Sequence, residues 1–114
     1  MFITFNRLRG YILGGGMKIE ISDVKQVGQI AKLTRKAQGL DQVNAGMPSG
    51  NGSTFMSDFE NGKPTVELER ALRVLASLGV TVELNIPVDI DELTKSQHTL
   101  LTQIKAGLVN VQKA

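Results

Sequence analysis

A run of hydroxyl and amide side chains occupies the middle of this 114-residue chain, between residues 42 and 63. Hydroxyls and amides can both donate and accept hydrogen bonds, which suits contacts with phosphates and with base edges. The order of residues is typical of a helix-turn-helix, in which the second helix enters the DNA major groove. The candidates for such contacts are Gln42, Asn51, Ser53, Thr54, Ser57, Asn61 and Lys63.

These candidates favour weak rather than strong base discrimination. The hydroxyls of the predicted third helix can meet phosphates or several base edges. Because that helix carries no Arg, Asn or Gln, DNA shape and dimer spacing are expected to supply much of the specificity. Asn61 and Lys63 are expected to contact phosphates, which positions a protein without specifying a sequence. Gln42 either presents its amide to a phosphate or faces water, and Lys32 and Lys36 are either phosphate contacts or solvated charges.

Hydrophobic periodicity predicts four helices, the first two of which precede the turn. The first helix is capped by Ser22 or Asp23 and ends at Gly39. The second begins at residue 41 or 42 and is expected to be short or kinked, because Gly46 and Pro48 lie inside it. The apolar stripe of the first helix is predicted to be Val24, Val27, Ile30, Ala31, Thr34 and Ala37.

The third and fourth helices follow the turn at residues 50–52. The third spans residues 53–60 and is predicted to bury Phe55, Met56 and Phe59. The fourth is capped by Thr65 and ends at Gly79. Its predicted apolar face consists of Leu68, Ala71, Leu72, Leu75 and Leu78.

Strict alternation of apolar and polar residues over 80–86 predicts a β-strand. A lone strand leaves its backbone groups unpaired, and the simplest partner is the same strand of a second subunit in a two-fold homodimer. The dimer-strand residues are Val80, Val82, Leu84 and Ile86. A last helix is expected within residues 89–114, either packed on its own domain or used for docking or dimerisation.

The chain is divided by these patterns into three segments. Residues 1–16 form a flexible N-terminal extension that ends in three glycines, or a stretch translated before a natural start at Met17. Residues 17–86 form the helix-turn-helix and dimerisation domain. Residues 87–114 form the C-terminal tail.

Composition argues against several classes of protein. The chain has no cysteine, which excludes disulfides and thiolate metal sites, and no apolar run near the roughly 20 residues that span a bilayer. The single histidine, His98, has no partner at metal-ligand or catalytic spacing. We therefore expect no catalytic residue, metal or cofactor, and a cytoplasmic protein that is not an enzyme. A net charge of +2 permits nucleic-acid binding without requiring it.

Several positions carry a resemblance to a known family. Arg35 and Glu60 lie where Xre/Cro-type repressors place a buried ion pair, and residues 39–42 read Gly-Leu-Asp-Gln, similar to the family's entry into its second helix. Residues 52–65 resemble the recognition helix and its exit loop. Residues 78–84 resemble the helix-to-strand ending of HipB-type antitoxins, which pair with HipA-like kinase toxins. The family's helix formers are replaced by Gly46 and Pro48, so the second helix departs from the pattern.

This resemblance implies an all-α, four- to five-helix, lambda-repressor-like helix-turn-helix domain with a short C-terminal dimerising β-strand. It further implies a homodimer that binds double-stranded operator DNA, represses its own operon and serves as the antitoxin of a HipA-like kinase. Two alternatives remain open at this point. One is a stand-alone phage- or plasmid-type repressor, and the other is a protein-interaction module that has lost DNA binding.

Overall fold

The computed structural model describes residues 16–107, and the predicted N-terminal extension lies almost entirely outside them. The described residues contain five α-helices and no β-strand. A first unit ends at Val82 and a second begins at Glu83. The helices are α1 (Val24–Ala37), α2 (Gln42–Gly46), α3 (Ser53–Glu60), α4 (Leu68–Leu78) and α5 (Lys95–Lys105).

The ends of α1 follow the predicted capping chemistry. The Asp23 side chain accepts a hydrogen bond from the Gln26 backbone N–H at 2.8 Å, and the Gln26 side chain accepts one from the Asp23 N–H. This reciprocal capping box satisfies two N–H groups that a helix start leaves free. At the other end, Gly39 adopts φ +73° and the Leu40 N–H donates to the Arg35 carbonyl, so the chain reverses and Leu40 packs against the core.

The predicted irregularity of the second helix is confirmed. Helix α2 has five residues and passes directly into a 3₁₀ turn, Met47–Ser49, with Pro48 at its start. Gly46 is required there for a packing reason, because a Cβ at this position would overlap the backbone carbonyl of Asn51. The residue that lowers the helix propensity therefore also allows the turn to fold back closely on α2.

Helices α1 to α4 enclose a small apolar core. Helix α3 approaches α1 so closely that a Cβ on Gly28 would overlap the carbonyl oxygen of Phe59. The buried Gln38 donates from Nε2 to the Leu78 carbonyl at 2.7 Å, which ties the end of α1 to the end of α4. The core side chains are Ala31, Ala45, Met56, Phe59, Ala71, Val74, Leu75 and Leu78.

Two predicted apolar faces are partly wrong. On α1 the buried face contains Gly28, Ala31 and Arg35, whereas Val24 and Ala37 are exposed. On α4 the buried set includes Val74, whereas Leu68 and Leu72, both predicted to face the core, are exposed. The α4 cap is Glu67 rather than Thr65, so the helix starts later than predicted. Because Arg35 is buried and α3 packs closely against Gly28, the buried face of α1 differs from the face that hydropathy alone predicts.

The predicted C-terminal strand is absent from the single chain. Residues 80–86 form neither helix nor strand, and Val82, Leu84 and Ile86 are exposed. A strand is defined by its ladder of hydrogen bonds with a neighbour, and no other strand forms between residues 16 and 107. The alternation of side chains is therefore present in the sequence without a partner strand among residues 16–107.

The second unit contains an α-helix within the segment that was predicted to hold the last helix. A 3₁₀ turn, Ile90–Glu92, precedes α5, whose N-terminus is closed by a capping box between Thr94 and Gln97. Leu100 and Ile104 of its apolar stripe are exposed. The rest of the segment in which this helix was expected, residues 108–114, lies outside the described residues.

Candidate nucleic-acid interface

Helices α2 and α3 are joined by a tight, hydrogen-bonded turn. The Gly50 N–H donates to the Met47 carbonyl at 3.0 Å, and the Asn51 N–H donates to the Gly46 carbonyl at 2.9 Å. Gly50 adopts φ +77°, a conformation that residues with a Cβ rarely take. These contacts fix the angle between the two helices, which is the geometric requirement of a helix-turn-helix.

The outer face of α3 carries the predicted hydroxyl side chains. Ser53 and Thr54 are exposed, and their side-chain hydroxyls have no hydrogen-bond partner within residues 16–107. Ser57 is half-buried, and its hydroxyl accepts a hydrogen bond from Asn61 Nδ2 at 3.4 Å. The opposite face buries Met56 and Phe59 in the core. Burial of the apolar face of α3 therefore keeps its polar face directed toward solvent.

An ion pair also attaches α3 to α1. Arg35 of α1 donates from Nε to Glu60 Oε2 at 2.6 Å and from Nη2 to Glu60 Oε1 at 2.9 Å. Its Nη1 donates to the Leu40 carbonyl at 2.9 Å. The two side chains are only 9% and 2% exposed, so the bidentate pair lies beneath the surface, between α1 and the end of α3.

The protonation states of the pair follow from this geometry. Burial tends to raise the pKa of the Glu60 carboxyl, but hydrogen bonds from Arg35 and Gln42, with the nearby charges of Arg35 and Lys32, leave that pKa lowered. The hydrogen bond to Glu60 raises the pKa of Arg35, against a smaller opposing effect of burial. Both groups are therefore ionised at neutral pH, and each compensates the burial of the other.

Gln42 belongs to the same network. Its Nε2 donates to Glu60 Oε1 at 3.1 Å, and the side chain is half-buried at the first position of α2. An amide nitrogen carries two hydrogens, so the second remains available for another acceptor. Gln42 thus lies at the start of α2, next to the Asp41 carboxylate that caps this helix.

Asn51 is placed differently from the sequence prediction. It is 4% exposed, and its Oδ1 accepts a hydrogen bond from Arg70 Nε at 2.7 Å. Its Nδ2 donates to the hydroxyl and the carbonyl of Ser49, at 2.9 and 3.2 Å. Because both polar atoms are engaged beneath the turn, the side chain is withdrawn from the surface that was expected to contact DNA. Asn51 instead links the turn to α4.

Arg70 is a residue of this region that sequence patterns did not single out. Its guanidinium carbon lies 4.2 Å from the centroid of the Phe55 ring, in addition to the Nε bond to Asn51. Helix α4 therefore holds the start of α3 through a cation–π contact and a hydrogen bond. Hydropathy does not predict these contacts of Arg70, since an arginine on a helix is ordinarily expected to be a solvated charge.

The loop after α3 brings further polar groups to the same side. Gly62 adopts φ +77° and packs against Lys25 of α1. Asn61 and Lys63 flank it and are exposed, and Lys63 Nζ lies 3.5 Å from Asp58 Oδ2. Asp58, on the outer face of α3, is the second residue to which the sequence prediction gave no role. The loop thus places an exposed amide and an exposed ammonium group beside the end of α3.

Within residues 16–107, no group of three or more His, Cys, Asp or Glu side chains is arranged to hold a metal ion. No helix in this part of the chain is long and apolar enough to cross a membrane.

Comparison with known proteins agrees with the geometry. The chain is 32% identical over 71 residues to the uncharacterized HTH-type transcriptional regulator y4mF of Sinorhizobium fredii, an alignment that covers 62% of this chain and 93% of that protein. No family model matches the chain, and no solved structure matches it significantly. With nearly the whole length of this relative matched, the chain belongs to the helix-turn-helix transcriptional regulators.

Proposed function

We propose that the protein is a sequence-specific DNA-binding repressor that binds its operator as a homodimer and represses its own operon. The observation that carries this proposal is the outward polar face of α3, anchored from beneath by the Arg35–Glu60 pair. A recognition helix must present a fixed set of donors and acceptors to the major groove. Rigid anchoring reduces the entropy lost when that helix binds.

In this proposal the contacts divide into two sets. Ser53, Thr54 and Ser57 of α3 face the base edges, where hydroxyls give modest discrimination. Gln42, Asn61 and Lys63 flank them and bind phosphates, which fixes the position of the helix in the groove. Binding that depends on phosphate contacts weakens steeply as salt rises, because each contact releases condensed counterions.

The homodimer is proposed from the residues that follow α4. Val82, Leu84 and Ile86 are exposed on the single chain, although their apolar side chains alternate as those of a half-buried strand do. Pairing of residues 80–86 with the same residues of a second copy would satisfy the backbone groups and cover these side chains. A two-fold dimer of this kind presents two recognition helices to two half-sites.

A role as antitoxin of a HipA-like kinase is the finer part of the proposal. It rests on the resemblance of residues 78–84 to the HipB ending. Exposed apolar side chains in the second unit, Leu100 and Ile104 on α5, support it because they offer a surface for a protein partner. A neighbouring gene for such a kinase would separate this function from that of a stand-alone repressor.

The interaction-module alternative is disfavoured by the state of the second helix. Despite Gly46 and Pro48, α2 retains a helical turn, an Asp41 cap that accepts from the Asn44 N–H at 2.8 Å, and packing against α3. DNA binding by a helix-turn-helix depends on this α2–α3 geometry, so its presence supports the two repressor functions over the interaction module. The resemblance of residues 78–84 to the HipB ending supports the antitoxin-repressor over the stand-alone repressor.

Binding of the purified protein to its own promoter fragment tests the proposal. Fluorescence anisotropy at low and high salt is expected to give tight binding to this fragment, weaker binding to a shuffled fragment of equal composition, and a steep loss with salt. Equal affinity for the two fragments would exclude operator binding by the protein alone. A Lys63→Ala variant is expected to weaken binding to both fragments equally and to reduce the salt slope by about one.

A further inference from the structure

Asp58 lies at the centre of the outward face of α3. It is one turn after Thr54 and three residues before Asn61, so the three side chains share one face of the helix. The Asp58 side chain is 40% exposed, and its side-chain partner within residues 16–107 is Lys63 Nζ at 3.5 Å. A carboxylate thus projects from the surface on which the proposed function places a polyanion.

This position requires a compensating interaction in the complex. A carboxylate brought near phosphates is repelled, and the repulsion must be offset by a donor that the DNA or the protein supplies. Lys63 screens Asp58 only weakly, because the ammonium group is itself 55% exposed and the pair is long. Such a pair exchanges readily, so Lys63 can bind a phosphate while Asp58 accepts a hydrogen bond from another group.

The major groove offers such a donor mainly at one base. Guanine presents the acceptors N7 and O6, and thymine presents the acceptor O4 beside a methyl group. Adenine presents an amino group next to the acceptor N7, which repels a carboxylate. Cytosine presents its N4 amino group as a donor. A carboxylate is therefore attracted most by cytosine and less by adenine, whose donor lies beside an acceptor, and it is repelled by the acceptors of guanine and thymine.

We propose that Asp58 is a specificity-determining residue that reads a cytosine, its carboxylate accepting a hydrogen bond from the N4 amino group. This inference rests on the proposed function and adds to it a base that the operator must contain. The neighbouring hydroxyls of Ser53 and Thr54 accept and donate, so they tolerate several edges. Asp58 discriminates chiefly by rejecting wrong bases, a common source of specificity.

Selection from a randomised duplex library tests the inference with three proteins: the natural chain, Asp58→Ala and Asp58→Asn. The natural chain is expected to enrich a motif with an invariant C·G pair at one position. Asp58→Ala should enrich the same motif with that position relaxed. Asp58→Asn should prefer adenine there, since an amide pairs with adenine N6 and N7. In anisotropy titrations, replacing the cytosine should cost the natural chain about tenfold in affinity and the Ala variant little.

The design separates failure of the inference from failure of the proposed function. If the natural chain enriches no motif, sequence-specific binding itself is excluded and the inference falls with it. If all three proteins enrich one identical motif, the DNA-binding function stands and Asp58 reads no base. Uniformly tighter binding by Asp58→Ala with an unchanged motif would likewise overturn the inference, by showing that the carboxylate acts as a charge alone.

Two controls accompany the selection. Glu69→Ala removes an exposed carboxylate of α4, paired with Arg73 at 2.9 Å, and matches the change in net charge. Its motif is expected to equal that of the natural chain. Thermal unfolding of the Asp58 variants is expected to match the natural chain, because the backbone bond from the Lys63 N–H to the Asp58 carbonyl does not involve the side chain.

Discussion

Arg35 and Glu60, 25 positions apart in the sequence, meet in a bidentate ion pair with N–O distances of 2.6 and 2.9 Å. The pair joins the last turn of α1 to the last residue of α3, and Gln42 connects it to the start of α2. Three helices are therefore linked through one carboxylate. The orientation of the proposed recognition helix depends on a contact that lies almost wholly beneath the surface.

Replacing Glu60 by Ala is expected to lower the stability of the fold and the affinity for DNA together. The substitution leaves the Arg35 guanidinium buried without its counter-ion, and breaking one side of a buried pair costs about 3–5 kcal/mol. Urea denaturation would give the change in the free energy of unfolding, and anisotropy the change in affinity. Loss of affinity at unchanged stability would mean that the pair contacts DNA rather than supports the fold.

The matched control for this prediction is Glu69→Ala. Glu69 and Arg73 also pair at 2.9 Å, but the two side chains are exposed. An exposed pair one helical turn apart contributes about 0.3–0.5 kcal/mol. A larger loss of unfolding free energy for Glu60→Ala than for Glu69→Ala would therefore be due to the burial of the Arg35–Glu60 pair.

The Glu60 carboxyl also makes stability depend on pH. Its pKa is lower in the folded chain than in the unfolded one, so the unfolded chain takes up a proton first as the pH falls. The stabilisation is fully present above the ordinary glutamate pKa of about 4.3 and is lost as the pH falls through the lower, folded value. Acid therefore destabilises the fold through this group.

A comparison with Glu60→Gln checks the sign of this effect. The variant cannot ionise, so its deficit in unfolding free energy relative to the natural chain is expected at pH 7 and should shrink below about pH 4. Other carboxyls titrate equally in both proteins and cancel in the difference. Urea midpoints measured from pH 7 to pH 3 would show it, and a deficit independent of pH would contradict the prediction.

Much of the fold follows from local sequence signals, and its exceptions have physical causes. The cap of α1, the glycines that end α1 and α4, and the bounds of α3 were predicted because they depend on neighbouring residues alone. The buried face of α1 was misplaced because Arg35 is stabilised by a residue 25 positions away, which hydropathy does not register. The strand at 80–86 was predicted from alternation, but a strand also needs a partner strand, and the described residues 16–107 contain none.

The candidate interface shows the same division between local and long-range information. Ser53 and Thr54 are exposed on α3 as predicted, since their position follows from helical periodicity. Asn51 was expected to contact DNA because it is the amide beside the predicted third helix. Its burial depends on Arg70, which reaches it from another helix. Only the folded chain reveals such a pairing.

Replacing Asn51 by Ala is expected to destabilise the fold without changing the base preference. The substitution removes the Asn51 oxygen that accepts from Arg70 and the Asn51 amino group that donates to Ser49. Leaving such partners unsatisfied costs about 1–3 kcal/mol. Asn44→Ala is the control, because the exposed Asn44 side chain makes no hydrogen bond within residues 16–107 and should change stability by under about 0.5 kcal/mol.

The outcome for Asn51 distinguishes two roles. If Asn51 supports the turn, Asn51→Ala is expected to lower the urea midpoint and to leave the motif from duplex selection unchanged. A base contact predicts the reverse: an unchanged midpoint and a relaxed position in the motif. The buried placement of the side chain favours the first result.

Replacing Leu84 by Glu is expected to separate the proposed homodimer into monomers that remain folded. Leu84 is 83% exposed on the single chain, so a charge there should not affect the folding of one subunit. In the proposed dimer the same side chain is covered, and burial of an unpaired carboxylate would oppose assembly. Sedimentation equilibrium is expected to give twice the chain mass for the natural protein and the chain mass for the variant.

The alternation of residues 80–86 provides the control for this substitution. Asn85 points to the opposite face of an extended segment, so Asn85→Glu should leave the dimer intact. Loss of the dimer should also weaken operator binding, because two linked recognition helices bind far more tightly than one. A natural chain that sediments as a monomer, or a Leu84→Glu variant that remains dimeric, would exclude this segment as the dimer interface.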